Sequence, residues 1–379
     1  MEILFWSLIG LAFYVYAGYP ALLAAIGLLR GARRVQVGAA DRPVTLIVSA
    51  YNEEAVIAEK LRNSLDLDYP RALLQITVVS DASSDRTDEI VRGFSGDSVE
   101  LLRMTERAGK TAGLNEAVRR ARGEILVFSD ANAMYRPDVL KIMVRNFADP
   151  HVGGVVGQSR YYTGTLQSER SEGLYWQYET AIKRLETCIG SVVGGDGAIY
   201  AIRRSLYAPM PADFLSDFVN PLQIVKSGYR FIYEPAAQSF ERAGDSLDKE
   251  FRRKVRIVNR AWRATLAMRA LLNPLRFGFF AIELLSHKFL RWLMPVFMIG
   301  ILACNAWLWG RSAIYVALLC LQGLFYACAL AGHVLRNRPK PPKLLAVPYY
   351  FCLVNLASAI GIIDAFRGRT YATWSTVRT

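Results

Sequence analysis

The chain has 379 residues, 53% of them hydrophobic, and a mean hydropathy of +0.18, which is high for a purely soluble enzyme. Its formal net charge of +13 suggests a nucleic-acid partner at first, but residues 1–40 carry +2, residues 41–250 carry −5 and residues 251–379 carry +16. The excess therefore flanks apolar segments, as anionic headgroups and the positive-inside bias require, and no nucleic-acid partner is expected. The five cysteines include no CxxC pair and the three histidines are far apart, so neither a disulfide framework nor a zinc site is indicated.

In chain order, residues 3–29 form one apolar run long enough to span a bilayer. It has no basic n-region, and Arg30, Arg33 and Arg34 follow it. That asymmetry places the N-terminus outside and residue 35 onward in the cytosol. From Pro43 the pattern becomes short strands alternating with helices. VTLIVSA (44–50), QITVVSD (75–81) and EILVFSD (124–130) read as strands. Residues 52–65, 83–94, 112–123 and 136–147 read as helices. The alternation predicts βαβ units and an α/β domain with a mostly parallel sheet over 41–250. Ligands of such sheets sit beyond the carboxyl ends of the strands, where Asp81 and Asp130 stand.

After residue 250 acidic residues almost vanish. Residues 251–272 read as a basic amphipathic helix lying along a membrane surface, within an interfacial region 251–285. A C-terminal membrane region, 286–379, contains three apolar segments, 286–309, 312–335 and 344–366. If all three span, the basic tail is extracytoplasmic, against its charge. Pro348 and Asn355 make 344–366 the candidate for a re-entrant or interfacial segment.

Several short motifs carry possible chemistry, and each has a plain structural reading beside it. Asp81 in VSDASSDRT can accept the imide N–H of uracil next to a helix N-terminus, or can simply cap that helix. Asp130 and Asn132 in SDANA can hold a hard divalent cation beside diphosphate oxygens, or can form a turn. Lys110 in AGKT is not part of a Walker A loop, because Met104 stands where that pattern needs glycine. It can still meet a diphosphate as a point charge. Asp217, with Asp213 as a competitor, can serve as a general base or as a helix cap. Gly194, Gly195 and Gly197 imply a tight turn or a close approach to a ligand.

Taken in order, VSAYNEE, VVSDASSD, GKTAGLN, VFSDANA, GGDGAIYAIRR and LSDF…GYRFIYEP, followed by a basic segment with Arg260 and Trp262, resemble the family 2 glycosyltransferases of GT-A fold. The likeness is strongest to membrane-embedded synthases of the chitin, hyaluronan and cellulose type, and covers roughly residues 43–265. The resemblance implies that Ala50, Tyr51 and Glu53 line the nucleoside pocket and that Asp81 contacts the base. It puts Lys110 and Gly195 at the nucleotide-sugar and Asp130 on a Mg²⁺ or Mn²⁺ ion. Asn132 falls where a second acid is usual, and Asp217 is the catalytic base of an inverting displacement. Asp196, Arg256, Arg260 and Trp262 fall on the acceptor and interfacial side.

The sequence departs from the family pattern at Asn132, at Ser216-Asp217 where paired acids are common, and at RIVNRAW, where Ala261 separates Arg260 from Trp262. The function implied is transfer from a nucleotide-sugar, a UDP-sugar in the first instance, to a growing polysaccharide or lipid-linked glycan. The expected place is the cytosolic face of the inner (plasma) membrane, with export-complex subunits as possible partners. The alternatives are a single-transfer enzyme acting on a polyprenyl-linked acceptor and a non-catalytic scaffold of an export complex.

Overall fold

The computed structural model describes residues 1–31, 33–94, 96, 99–162, 168–242, 247–336 and 342–373. The middle of the basic 336–343 loop and the last six residues of the tail lie outside them.

An eight-stranded sheet forms the centre of the catalytic half, in the order β3-β2-β1-β4-β7-β6-β8-β5. Strands β1 (Val44–Ala50), β2 (Leu74–Ser80), β3 (Val99–Arg103) and β4 (Ile125–Asp130) pair in parallel. Every residue of β1 and β2 is buried, as expected of central strands covered by helices on both faces. The sheet is mostly parallel, as expected, with three short antiparallel pairings in its other half. β7 (Tyr200–Arg203) runs antiparallel to both β4 and β6 (Val152–Tyr162), and β6 pairs in parallel with β8 (Arg230–Arg242). β5 (Met134–Tyr135) pairs antiparallel with the far end of β8. β6 was not legible as a strand because Gly153, Gly154 and Gly157 interrupt it. A Cβ at Gly154 would stand 2.4 Å from the Phe231 ring and one at Gly157 would stand 2.5 Å from the Ala237 carbonyl, so close packing selects glycine there.

The loops after β1 and β2 are laced together. The N–H groups of Asn52, Glu53 and Glu54 donate to Ser83 Oγ (3.1 Å), Thr87 Oγ1 (2.8 Å) and Asp85 Oδ2 (3.1 Å). This lacing delays the expected 52–65 helix until Ile57–Leu65.

The first apolar run is one helix, Glu2–Arg30, with a π-turn at Tyr14–Gly18. Its N-terminal half packs through Phe5 on Cys304, Leu308 and Tyr315. Its other half docks on the Ser168–Ile189 helix, where Tyr19 and Leu23 meet Ile182 and the Tyr19 hydroxyl donates to Glu186 Oε1 at 2.7 Å. Among the described residues three helices are long and apolar enough to cross a membrane: Glu2–Arg30, Ala313–Val334 and Leu344–Phe366. A fourth apolar unit, Phe279–Trp292 with Met294–Trp307, is bent by 60°. The bend has a sequence cause: Pro295 lacks an N–H and its ring clashes with the Arg291 carbonyl.

The break therefore falls here and not in 344–366. Lys343–Phe366 is continuous because Pro348 sits near its start, while Asn355 Nδ2 and Ser358 Oγ donate back to the Phe351 and Val354 carbonyls at 2.8 and 3.0 Å. The basic amphipathic segment also departs from expectation. As the helix Leu247–Ala267 it buries Val258, Ala261 and Trp262 against Phe218, Leu222 and Ile362 instead of resting that face on a membrane.

Candidate active site

Three charged side chains converge on a residue that has none. A Cβ at Gly197 would lie 3.2 Å from Lys110 Nζ, 3.4 Å from Asp217 Oδ2 and 3.7 Å from Asp130 Oδ2. Each side chain is placed by an element boundary. Asp130 is the last residue of β4, Lys110 opens the helix Lys110–Arg120, and Asp217 lies in the first turn of Ser216–Lys226. Lys110 Nζ pairs with Asp130 Oδ1 and donates to the Gly197 carbonyl at 3.3 Å. Gly195 fixes the opposite wall: its N–H donates to the Asp217 carbonyl at 2.7 Å, and a Cβ there would stand 2.6 Å from that same oxygen.

Burial pushes the Asp217 carboxyl above the usual aspartate range, and Asp196 and Asp130 reinforce the shift against the opposing charge of Lys110. For Lys110 burial works against the charged form, but Asp130 and Asp217 outweigh it and its pKa rises. A carboxylate that holds its proton more tightly than usual beside a fixed ammonium is suited to accept a proton from a hydroxyl.

Two further charged groups meet this site that sequence reasoning did not select. Glu241 on β8 is 8% exposed, and its pKa is pushed up to about 8 by burial and by the charges of Asp130 and Asp196. Its Oε2 accepts from Asn132 Nδ2 at 3.1 Å. Lys60 is fully buried beneath the turn after Asp130, bonds the Ala133 carbonyl and sits 3.7 Å from the centre of the Tyr135 ring. Burial lowers its pKa to about 7, against the pull of Asp130 and Glu241. The available signals were an acid near the end of a strand and a lysine on a helix face. Neither points to a site without the β5–β8 register.

The residues expected at the nucleoside are brought together, but not all of them face open space. The Ala50 carbonyl accepts the Asp81 N–H at 3.0 Å, Glu53 lines the cavity, and the Arg107 guanidinium lies over the Tyr51 ring at 3.8 Å. Asp81, expected at the base, is 1% exposed and accepts the N–H groups of Ala108 (2.8 Å) and Gly109 (3.0 Å). A carboxylate so placed holds the loop that leads into Lys110. The chain beyond Phe366 returns to this loop, since a Cβ at Gly109 would stand 2.2 Å from the Ala372 carbonyl.

On the interfacial side, Asp196 and Arg256 line the cavity. Arg260 faces inward as well, and its guanidinium donates to Thr111 Oγ1 (3.0 Å) and to the carbonyls of Ala212 (3.1 Å), Asp213 (3.2 Å) and Phe214. It joins the Lys110 helix to the loop before Asp217. Burial and the neighbouring Arg256 charge lower its pKa to about 10. Trp262 is not brought to the site; it is buried against Phe289, Trp292 and Phe366. Asp213, the competitor to Asp217, pairs with Arg263 at 2.6 Å.

One cavity of about 750 Å³ holds Lys110, Asp130 and Asp217 at one end and Trp292, Val347 and Phe351 of the apolar helices at the other. His287 lies along it between Glu186 (2.6 Å) and Glu179 (3.1 Å), and Lys288 carries its Cε to within 3.7 Å of where a Gly194 Cβ would stand.

Residues 45–207 match the family described as "Glycosyl transferase family 2". The chain carries a family 2 glycosyltransferase domain. The chain is 31% identical over 147 residues to the beta-monoglucosyldiacylglycerol synthase of Trichormus variabilis (strain ATCC 29413 / PCC 7937), an alignment covering 36% of this chain and 31% of that one. It is 26% identical over 220 residues to the poly-beta-1,6-N-acetyl-D-glucosamine synthase of Staphylococcus aureus (strain COL), covering 56% of this chain and 53% of that one. The chain thus spans between about a third and about half the length of these curated relatives. Its fold matches the mannosyltransferase PcManGT from Pyrobaculum calidifontis, solved with GDP-Man and Mn²⁺, at a TM-score of 0.71 and 24% identity over 97% of this chain and 99% of that one. The fold is GT-A, with apolar helices at both ends of the chain.

Proposed function

We propose that this glycosyltransferase moves a sugar, with inversion, from a nucleoside-diphosphate sugar to a lipid-linked acceptor at the cytosolic face of a membrane. The observation that carries this reading is the single cavity joining Asp130 and Asp217 to Val347 and Phe351 of an apolar helix. A lipid-borne acceptor can enter from the apolar end and bring its head to Asp217. The relatives' names divide along the same line, one naming a glycolipid product and the other a polymer.

In the transfer, Asp217 takes the proton of the acceptor hydroxyl as that oxygen attacks the anomeric carbon. The bond from that carbon to the diphosphate breaks and the nucleoside diphosphate leaves with its electron pair. Lys110 faces the leaving diphosphate as a point charge. Asp130 and Asn132 offer oxygen donors suited to Mg²⁺ or Mn²⁺, and Asp130 Oδ2 is on the Gly197 side of the cavity. Among the described residues no three His, Cys, Asp or Glu side chains form a metal cage, so Asp130 and Asn132 are the residues that would hold the ion. Such an ion, when bound, neutralises charge on the departing diphosphate.

The expected result of incubating detergent-purified enzyme with Mn²⁺, membrane lipid extract and a radiolabelled UDP-sugar is label in the organic phase, one sugar per lipid. GDP-sugars form the second arm of the same assay. Label in a high-mass aqueous polymer, with none in lipid, would sink the lipid-acceptor reading in favour of a synthase.

A further inference from the structure

We infer that Glu241 supplies the second carboxylate of the divalent-cation site, the one that Asn132 does not provide. The inference rests on the reading of Asp130 as a metal-binding residue.

Glu241 reaches the site through the sheet. β5 pairs with β8 in the register Met134↔Phe240 and Tyr135↔Ser239, so the next step along β8 brings Glu241 level with the turn that carries Asp130 and Asn132. Asn132 Nδ2 then donates to Glu241 Oε2 at 3.1 Å, which fixes the carboxylate beside the turn. The other oxygen, Oε1, is buried on the cavity wall with no hydrogen-bond partner among the described residues, and the residue as a whole is only 8% exposed. A buried carboxylate oxygen left unmatched is costly, and hard divalent cations are the ligands that carboxylate oxygens bind best.

A purely structural role predicts a different residue. Holding the Asn132 amide needs one acceptor oxygen, which glutamine supplies without placing a further negative charge near Asp130 and Asp196. The charge faces Lys60, Lys110 and Arg253, and a divalent cation beside Asp130 would add to their pull. Replacing an acid by Asn132 removes one negative charge from the turn, and Glu241 restores that charge from the neighbouring strand. The asparagine becomes the link that holds the substitute acid in place.

The test is Mn²⁺ binding to the full-length purified chain in the presence of UDP, read from the EPR signal of free Mn²⁺. The variants are Glu241→Gln, Asn132→Asp, the double variant and Asp130→Ala. Glu241→Gln is expected to weaken Mn²⁺ binding by at least about tenfold. Its unfolding temperature without Mn²⁺ should be unchanged or higher, because a neutral amide replaces a buried carboxyl whose ionisation burial, Asp130 and Asp196 oppose. The double variant, with an acid returned at position 132, should regain most of the lost affinity.

If Glu241→Gln binds Mn²⁺ like the wild type while Asp130→Ala does not, the inference is wrong and the metal site stands without Glu241. If Glu241→Gln loses binding together with stability and Asn132→Asp rescues neither, Glu241 is structural and the inference fails. If the wild type binds no more Mn²⁺ than Asp130→Ala, the metal reading itself has failed and takes this inference with it.

Discussion

Asp217→Asn is expected to lower kcat by about two to four orders of magnitude, the usual contribution of a positioned general base. Asparagine keeps the shape of the side chain but cannot take a proton. The donor KM should change little on the proposed reading, in which Asp217 meets the acceptor hydroxyl and Lys110 and Asp130 meet the diphosphate. Stability should hold or rise, since the variant removes a buried charge whose ionisation is disfavoured by burial and by Asp196 and Asp130. The pH profile is a second check. Only ionised Asp217 can act as a base, and its pKa lies above the usual aspartate value, so the wild-type rate should fall as pH drops through that raised pKa. The acid limb should therefore sit above pH ~4, where an ordinary aspartate titrates. A kcat for Asp217→Asn within threefold of wild type would remove Asp217 from the chemistry.

Arg260→Met should be the most damaging change to the framework of the site. The guanidinium is 5% exposed and serves Thr111 Oγ1 and the carbonyls of Ala212, Asp213 and Phe214 at once. Methionine fills much of the volume but takes this donor from the Ala212 and Asp213 carbonyls, at about 1–3 kcal/mol for each one that water does not reach, while the Phe214 carbonyl keeps the Thr111 hydroxyl at 2.7 Å. A total loss of about 3–5 kcal/mol is expected, with the apparent Tm falling on the order of 10 °C. Activity should fall with it, because the loop before Asp217 loses its tie to the helix that starts at Lys110. Arg260→Lys should recover little, since one ammonium cannot serve four acceptors spread across two elements. Thermal unfolding monitored by tryptophan fluorescence settles the point, and an unchanged Tm would show that Arg260 is not the link described.

The part of the fold that sequence made legible is the part whose residues announce their own geometry. β1 spans residues 44–50, as its compact β-branched run implies, and β2 and β4 fall within one residue of the expected limits. The mixed half was hidden because β6 carries glycines where Phe231 and the Ala237 carbonyl press close, and glycine reads as loop. β5 has only two residues, so the register that brings Glu241 to Asn132 leaves no local trace.

The candidate site divides in the same way. Lys110, Asp130 and Asp217 stand at element boundaries, which strand and helix patterns do mark, and they converge on Gly197. Asp81 also stands at a strand end, but nothing local says that its oxygens are taken by the Ala108 and Gly109 amides, 27 and 28 residues away. The family resemblance put Trp262 on the acceptor and interfacial side, yet its partners Phe289 and Phe366 come from segments that only the packing brings near.

The most direct measurement is nucleoside-diphosphate release by detergent-purified enzyme with Mn²⁺ and a panel of UDP- and GDP-sugars, comparing wild type with Asp130→Ala. Release from one donor by the wild type, lost by at least about a hundredfold in Asp130→Ala, is the result this account predicts. Equal release by both proteins would contradict the placement of donor chemistry at the Lys110–Asp130–Asp217 cluster.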